Sequence, residues 1–235
     1  MVELNPAFPV FGKEALQNSP HEVLQALLKK GVCYVSGFEA ELDRVSLEFE
    51  LLYLKPDASV RVLSPANAKK NQPLIYSTLF APEFKVIKRK VFGMFYKDEI
   101  EIFCQHTGPS EVPPSATLHF DKRYTFKSWY YLDDVGQGEG AMRVVPPDCC
   151  GQYSPAALRD RFGTRGLFKG DNAQHHAPAE AADALEAGAQ LVTGPKGTLF
   201  FHITEAWHGA SPVVAGSARK IIRGHSRAFS DYFLK

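Results

Sequence analysis

From about residue 84 to the C-terminus, the chain is written in short blocks of β-branched and aromatic residues separated by turns, and this recurrence limits the folds open to it. The blocks are "VFGMFYK" (91–97), "IEIFCQHT" (100–107), "TLHFD" (117–121), "SWYYLDDV" (128–135), "AMRVVP" (141–146), "GTLFFHI" (197–203), "AWHGASP" (206–212) and "RKIIRGHSRAF" (219–229). One excursion, over about 147–190, interrupts them; it carries a helical pattern at 154–163 and the Ala-rich "PAEAADALEAGA". Ahead of the blocks, "SPHEVLQALLKKG" reads as a helix. Ser19 and Glu22 are placed for a capping box, Pro20 stands at the first helical position, and Gly31 marks the stop. Val23, Leu24, Leu27 and Leu28 form its apolar stripe. A strand over 32–38 and a second helix over about 40–54 follow. Helices first and many short strands afterwards predict a mainly β fold with flanking helices, a double-sheet jelly roll. The 235 residues carry no repeat or linker and read as one domain, 1–235. Its helical part spans about 1–60 and its jelly-roll core about 84–235. A lid is expected from the insertion at about 147–190 and from residues 65–90.

Charge and cysteine content bound the function. The formal net charge is +1, which leaves no electrostatic case for nucleic acid or a membrane surface; the basic run "KVIKRK" (85–90) reads as a solvated face. No stretch approaches the roughly 18 apolar residues of a membrane span. The start of the chain lacks the pattern of a signal peptide, and four cysteines without framework spacing (Cys33, Cys104, Cys149, Cys150) point to reduced thiols. A cytoplasmic protein acting on a small molecule is expected, with monomer and homodimer both open.

Within "TLHFD", His119 and Asp121 are two apart, so on a strand they share a face. Two buried polar groups need partners: a metal ion is one, and an ordinary hydrogen-bonded pair is another. His208, in "EAWHGASP", stands 89 residues later, a gap that a jelly roll can close. Two histidines and a carboxylate on one side of a metal suit a non-haem Fe(II) oxygenase, because three coordination positions stay open. Such an enzyme using 2-oxoglutarate needs a cation for the far carboxylate, and Arg219 follows His208 by 11 residues, with Ser211 between them.

Together, "LHFD…WYYLDDVGQGEGAMRVVP…GTLFFHITEAWHGASP…ARK" and the opening "LLKKGVCYVSGF" resemble the phytanoyl-CoA dioxygenase-like family of Fe(II)/2-oxoglutarate oxygenases. Residues 40–100 and 147–195 fall outside the resemblance. It implies a double-stranded β-helix, the cupin-like form of the jelly roll, with His119, Asp121 and His208 as iron ligands and Arg219 as the 2-oxoglutarate anchor. The implied reaction uses dioxygen, releases succinate and carbon dioxide, and hydroxylates or desaturates a C–H bond. Asp121 stands where related halogenases have a small residue, so the resemblance implies C–H oxidation rather than chlorination. The sequence departs from the family at two places. Ala210 occupies the position two beyond the distal histidine, leaving the hydroxyl to Ser211, and a family lysine that helps hold the cosubstrate has no counterpart. Thr117, His106 and Gln105 are candidates to replace it. Other residues have plainer readings: His202 and His225 as strand residues, His175 and His176 as an exposed pair, Asp133 and Asp134 as turn carboxylates. Trp129, Tyr130 and Tyr131 read as core and pocket wall, and Arg143 as a cation that could face a substrate anion. Two other classes remain open, a non-catalytic metal-binding jelly roll and a non-oxidative divalent-metal cupin enzyme. Neither needs Arg219.

Overall fold

Two β-sheets face each other in the computed structural model, which describes residues 2–54, 59–94, 96–108, 116–167, 174–214 and 217–228, without the side chains of 99–100, 164–167 and 228. In chain order the elements are β1 (Val10–Gly12), α1 (Ala15–Asn18), α2 (Pro20–Lys30), β2 (Val32–Ser36), α3 (Leu42–Leu52), β3 (Val60–Leu63), α4 (Pro65–Asn71), α5 (Pro73–Leu79), α6 (Phe84–Phe92), β4 (Tyr96–Thr107), β5 (His119–Asp121), β6 (Thr125–Tyr131) and β7 (Met142–Val145). There follow α7 (Pro155–Leu167), β8 (Gln174–His176), α8 (Ala179–Gly188), β9 (Gln190–Val192), β10 (Leu199–Ile203), β11 (Trp207–Ala210) and β12 (Arg219–Ala228). The larger sheet has the order β1-β2-β10-β6-β12-β4-β3 and the smaller β8-β5-β11-β7-β9. Sequence-distant strands lie side by side in both sheets, the jelly roll anticipated from the strand pattern and the double-stranded β-helix that the resemblance implies.

Period-two alternation sorts the side chains of each strand. On β6, Phe126 and Tyr130 face outward into a cluster with Leu79, Phe84 and Ile87, while Trp129 and Tyr131 face inward with Phe200, Met142 and Val144. Residues 65–90 therefore back the larger sheet as α4, α5 and α6; they do not cover a cavity mouth, which corrects the expected lid there. The excursion backs the smaller sheet. Leu158 of α7 and Ala181 and Leu185 of α8 pack with Phe120, Val145 and Trp207, and Trp207 Nε1 donates to the Tyr153 carbonyl at 2.7 Å.

Three local expectations are corrected. "VFGMFYK" is not a strand: 91–92 end α6 and β4 begins at Tyr96, with residue 95 outside the described residues. Phe84, Ile87, Lys88 and Val91 are buried at helical spacing, a period that the strand reading overlooked. The basic run is only partly a solvated face, since Lys88 is buried and donates to Asp98 Oδ1 at 2.6 Å. Ser19 makes no side-chain cap at α2, so the capping box does not form there. The stop at Gly31 does form, at φ 76°, with its N–H donating to the Leu27 carbonyl at 2.7 Å.

Candidate active site

Strands β5 and β11 are adjacent and antiparallel, with His119 directly opposite His208. That register brings the two imidazoles to a centroid separation of 4.5 Å, and His119 Nε2 lies 3.9 Å from Asp121 Oδ1. Ligand atoms of His119, Asp121 and His208 all fall within 4.8 Å of one another. Phe120, between them, points to the opposite face and packs edge-on against Trp207 at 4.8 Å.

The tautomers follow from the partners. His119 Nδ1 is 2.8 Å from the Thr117 carbonyl and His208 Nδ1 is 3.0 Å from the Ala206 carbonyl. A carbonyl can only accept, so both Nδ1 atoms carry hydrogen and both Nε2 atoms present a lone pair. Burial first, then nearby cationic groups, pushes His208 well below the ordinary histidine range; burial likewise lowers His119. Burial pushes the Asp121 carboxyl up, but the Lys127 ammonium and then the two histidines override it and hold the group ionised. Two neutral imidazoles and one carboxylate, each buried or half-buried, fit a divalent metal with open coordination positions.

Lys127 was not anticipated. Its Nζ donates to Asp121 Oδ2 at 2.8 Å and lies 3.4 Å from His208 Nε2. The larger sheet places it in a row between His202 and His225, both fully buried with neither ring nitrogen hydrogen-bonded. His202 packs edge-on to His208 at 4.5 Å.

A cavity of about 490 Å³ opens between the sheets, and His119, Asp121, His208, Arg219, Gln105 and Arg223 are among its lining. Arg219 is buried; one Nη donates to the Gly140 carbonyl, the other reaches Thr107 Oγ1 at 3.5 Å, and its Nε has no partner. Gly140 permits this approach. It holds φ 74°, and an added Cβ would sit 2.7 Å from Val213 Cγ2. Gln105 Nε2 donates to Thr107 Oγ1 at 3.0 Å, completing a polar corner around Arg219.

The weaker sequence candidates separate here. His106 pairs with Lys220 across β4 and β12 on the outer face and lies edge-on to Tyr53 at 5.9 Å, so it does not reach the cavity. Alternation gives the inward positions to Gln105 and Thr107 instead. Thr117 lies outside β5, is exposed, and contributes its carbonyl to His119 rather than a hydroxyl to the cavity. Ser211 is buried at the Gly140 corner but does not line the cavity. Arg143 is engaged by Glu186 and the Ala116 carbonyl and is not among the residues that line the cavity. Asp133 and Asp134 accept from the backbone N–H groups of Lys220 and Lys196, as turn carboxylates do. His175 and His176 form the edge strand β8 beside β5, an element the sequence pattern did not reveal.

Arg223 is the other residue that sequence reasoning passed over. Its guanidinium stacks over Phe103 at 4.5 Å and Trp129 at 5.0 Å, and Trp129 stacks in turn on Phe200 at 5.6 Å. Burial pulls it down to about 10 from the usual arginine value. The signal was present in sequence as arginines at every fourth position of "RKIIRGHSR", which a strand turns to one face.

Comparison with known proteins agrees with this architecture. The epimerase SnoN, crystallised with Fe3+, alpha-ketoglutarate and nogalamycin RO, superposes with TM-score 0.62 at 15% identity, over 90% of this chain and 84% of SnoN. HygX from Streptomyces hygroscopicus, with nickel and 2-oxoglutarate bound, gives 0.62 at 14% identity over 88% and 86%. SnoK, a non-haem alpha-ketoglutarate-dependent carbocyclase from nogalamycin biosynthesis, gives 0.60 at 17% identity over 88% and 83%. A search of curated proteins finds no match in sequence. The sequence profile of the phytanoyl-CoA dioxygenase (PhyH) family matches residues 37–221, most of the chain, and the protein belongs to that family.

Proposed function

We propose that the protein is an Fe(II)- and 2-oxoglutarate-dependent oxygenase that oxidises a C–H bond of a small molecule, with hydroxylation as the expected outcome. The observation that carries this reading is the convergence of His119, Asp121 and His208 on the cavity that also receives Arg219. The three side chains would hold the ion, and Arg219 would take the far carboxylate of 2-oxoglutarate as a paired, charge-assisted contact. Bound iron and 2-oxoglutarate supply activation of dioxygen, with succinate and carbon dioxide released.

The chain's own part is positional. The carbonyls of Thr117 and Ala206 fix the imidazole tautomers, Lys127 fixes one oxygen of Asp121, and Thr107 and Gln105 hold the polar corner at Arg219. Trp129, Tyr131 and Phe200 keep the sheet interior apolar beside it. The structural relatives include an epimerase and a carbocyclase, which favours a second reading of the outcome, C–H activation ending in inversion or ring closure. Retained thiols, three of them buried, support a cytoplasmic setting. No described helix is long and apolar enough to cross a membrane.

Anaerobic addition of Fe(II) and then 2-oxoglutarate tests the reading. A weak visible charge-transfer band is expected, absent in His119→Ala, and needing at least tenfold more 2-oxoglutarate in Arg219→Met. A wild-type protein without the band is not a 2-oxoglutarate oxygenase, and a metal-binding or Lewis-acid role would then be favoured.

A further inference from the structure

Strand β12 turns three guanidinium groups, those of Arg219, Arg223 and Arg227, toward the cavity. Two are accounted for. Arg227 donates to Glu101 Oε2 at 3.0 Å, and Arg219 is assigned to the cosubstrate in the reading above. Arg223 has no hydrogen-bond or carboxylate partner among the described residues; its Nε is buried and unsatisfied. Two ring faces hold it, and the Asp121 and Glu101 carboxylates act on it only from beyond ion-pair distance. Phe200, Trp129, Arg223 and Phe103 lie in register across β10, β6, β12 and β4, a cross-strand row that clamps both faces of the guanidinium. A planar cation held by its faces keeps its edge donors free, aimed and preorganised for a bidentate oxyanion.

The rest of the cavity has the same sign. Lys122, Arg123, Lys127, Arg219, Arg223 and Arg227 line it against the single carboxylate of Asp121. Lys127 is matched by Asp121 and Arg227 by Glu101, and a divalent ion with dianionic 2-oxoglutarate adds no net charge. The cavity therefore stays cationic after the cosubstrate is in place, and a neutral substrate would leave Arg223 unpaired.

Resting on the oxygenase reading, we propose that Arg223 is a substrate-binding residue and that the substrate is an acid, whose carboxylate or similar compact oxyanion seats on the Arg223 edge. This goes beyond the cosubstrate anchor, which is Arg219.

The test loads the protein with Ni(II) and saturating 2-oxoglutarate, so that Arg219 is occupied, and titrates inorganic sulfate while following tryptophan fluorescence. Trp129, in contact with Arg223, is one of two tryptophans in the chain. Saturable sulfate binding is expected in the wild type. It should weaken at least tenfold in Arg223→Met and less in Arg223→Lys, which keeps the charge and loses the fork, while 2-oxoglutarate affinity stays within about twofold. Should Arg223→Met lose its native near-ultraviolet dichroism, Arg223→Lys against wild type carries the comparison. A second arm measures succinate release stimulated by matched pairs of carboxylic acids and their primary amides; stimulation should follow the acids. Equal sulfate affinity in wild type and variant, or stimulation by amides as strong as by acids, overturns the proposal. So does a loss of 2-oxoglutarate binding in Arg223→Met as large as that in Arg219→Met. Failure of the oxygenase reading looks different: the charge-transfer band never forms, yet sulfate still distinguishes wild type from Arg223→Met.

Discussion

At the scale of single residues, Lys127 has the largest leverage on the metal centre. It acts in two opposing ways, orienting Asp121 through a 2.8 Å bond and standing as a cation 3.4 Å from His208 Nε2. An ion bound to that nitrogen at about 2.1 Å is no more than about 5.5 Å from the ammonium. At an effective dielectric near 20 the repulsion is about 6 kcal/mol, whereas losing an orienting partner costs roughly 10–100-fold in affinity, about 1.4–2.7 kcal/mol. Repulsion exceeds orientation even if halved. Lys127→Met, similar in length and neutral, should therefore bind Ni(II) at least tenfold more tightly than wild type by calorimetry. Weaker binding would mean that the Asp121 contact, not the charge, governs the site. Gly140 offers a second test. Gly140→Ala adds a Cβ where φ is 74° and Val213 Cγ2 would stand 2.7 Å away, on the residue whose own carbonyl holds Arg219. A loss of roughly 1–3 kcal/mol in stability is expected from the strain, with weaker 2-oxoglutarate binding, both measurable by denaturation and titration.

At the scale of elements, legibility followed periodicity. Strands β5, β6, β7, β10, β11 and β12 were readable because β-branched and aromatic residues recur in short blocks between turn signals, and the metal triad was readable because His119 and Asp121 ride on one of them. Helix α6 was not, because its aromatic and β-branched content looked strand-like while its i, i+3, i+4, i+7 burial is visible only once Phe84, Ile87, Lys88 and Val91 are seen together. Lys127 and Arg223 escaped for another reason. Nothing local distinguishes an inward lysine or arginine from a solvated one; register against His225 and Trp129 decides it. His106 failed on parity, one residue out of phase with Gln105 and Thr107. The division of labour between the sheet faces predicts separable effects. Phe84 is fully buried behind the larger sheet, 4.8 Å from the ring of Phe201, so Phe84→Ala should cost about 3–5 kcal/mol and lower Tm by roughly 6–20 °C. Ni(II) affinity at 20 °C should stay within about threefold, since α6 touches no cavity residue in its cluster. A parallel collapse of metal affinity would show that the two faces are coupled.

For the whole molecule, the interior carries a protonation debt that fixes how stability varies with pH. His202, His208 and His225 are each pushed well below the ordinary histidine value, by burial first and then by neighbouring histidines or the Lys127 and arginine cations. In the unfolded chain they titrate near 6.5. Below that value the unfolded state takes up protons that the folded state refuses, so it binds more protons and unfolding free energy rises with pH. The stabilisation is complete above about 6.5 and is lost as pH falls below it toward the depressed folded values. Asp121, also depressed, has the same sign but acts lower, because its unfolded carboxyl titrates near 3.9, outside the window from pH 7.5 to 5.5. One pH unit below 6.5, three such histidines together withdraw up to about 4 kcal/mol, a sizeable part of the roughly 5–15 kcal/mol that stabilises an ordinary domain. Tm of the metal-free protein should therefore fall by roughly 8–16 °C between pH 7.5 and 5.5. Replacing His225, which ligates nothing, by Phe removes one of the three protons and should shrink that fall by about a third. A flat profile, or one that His225→Phe leaves unchanged, would mean that these rings are not held neutral between the sheets.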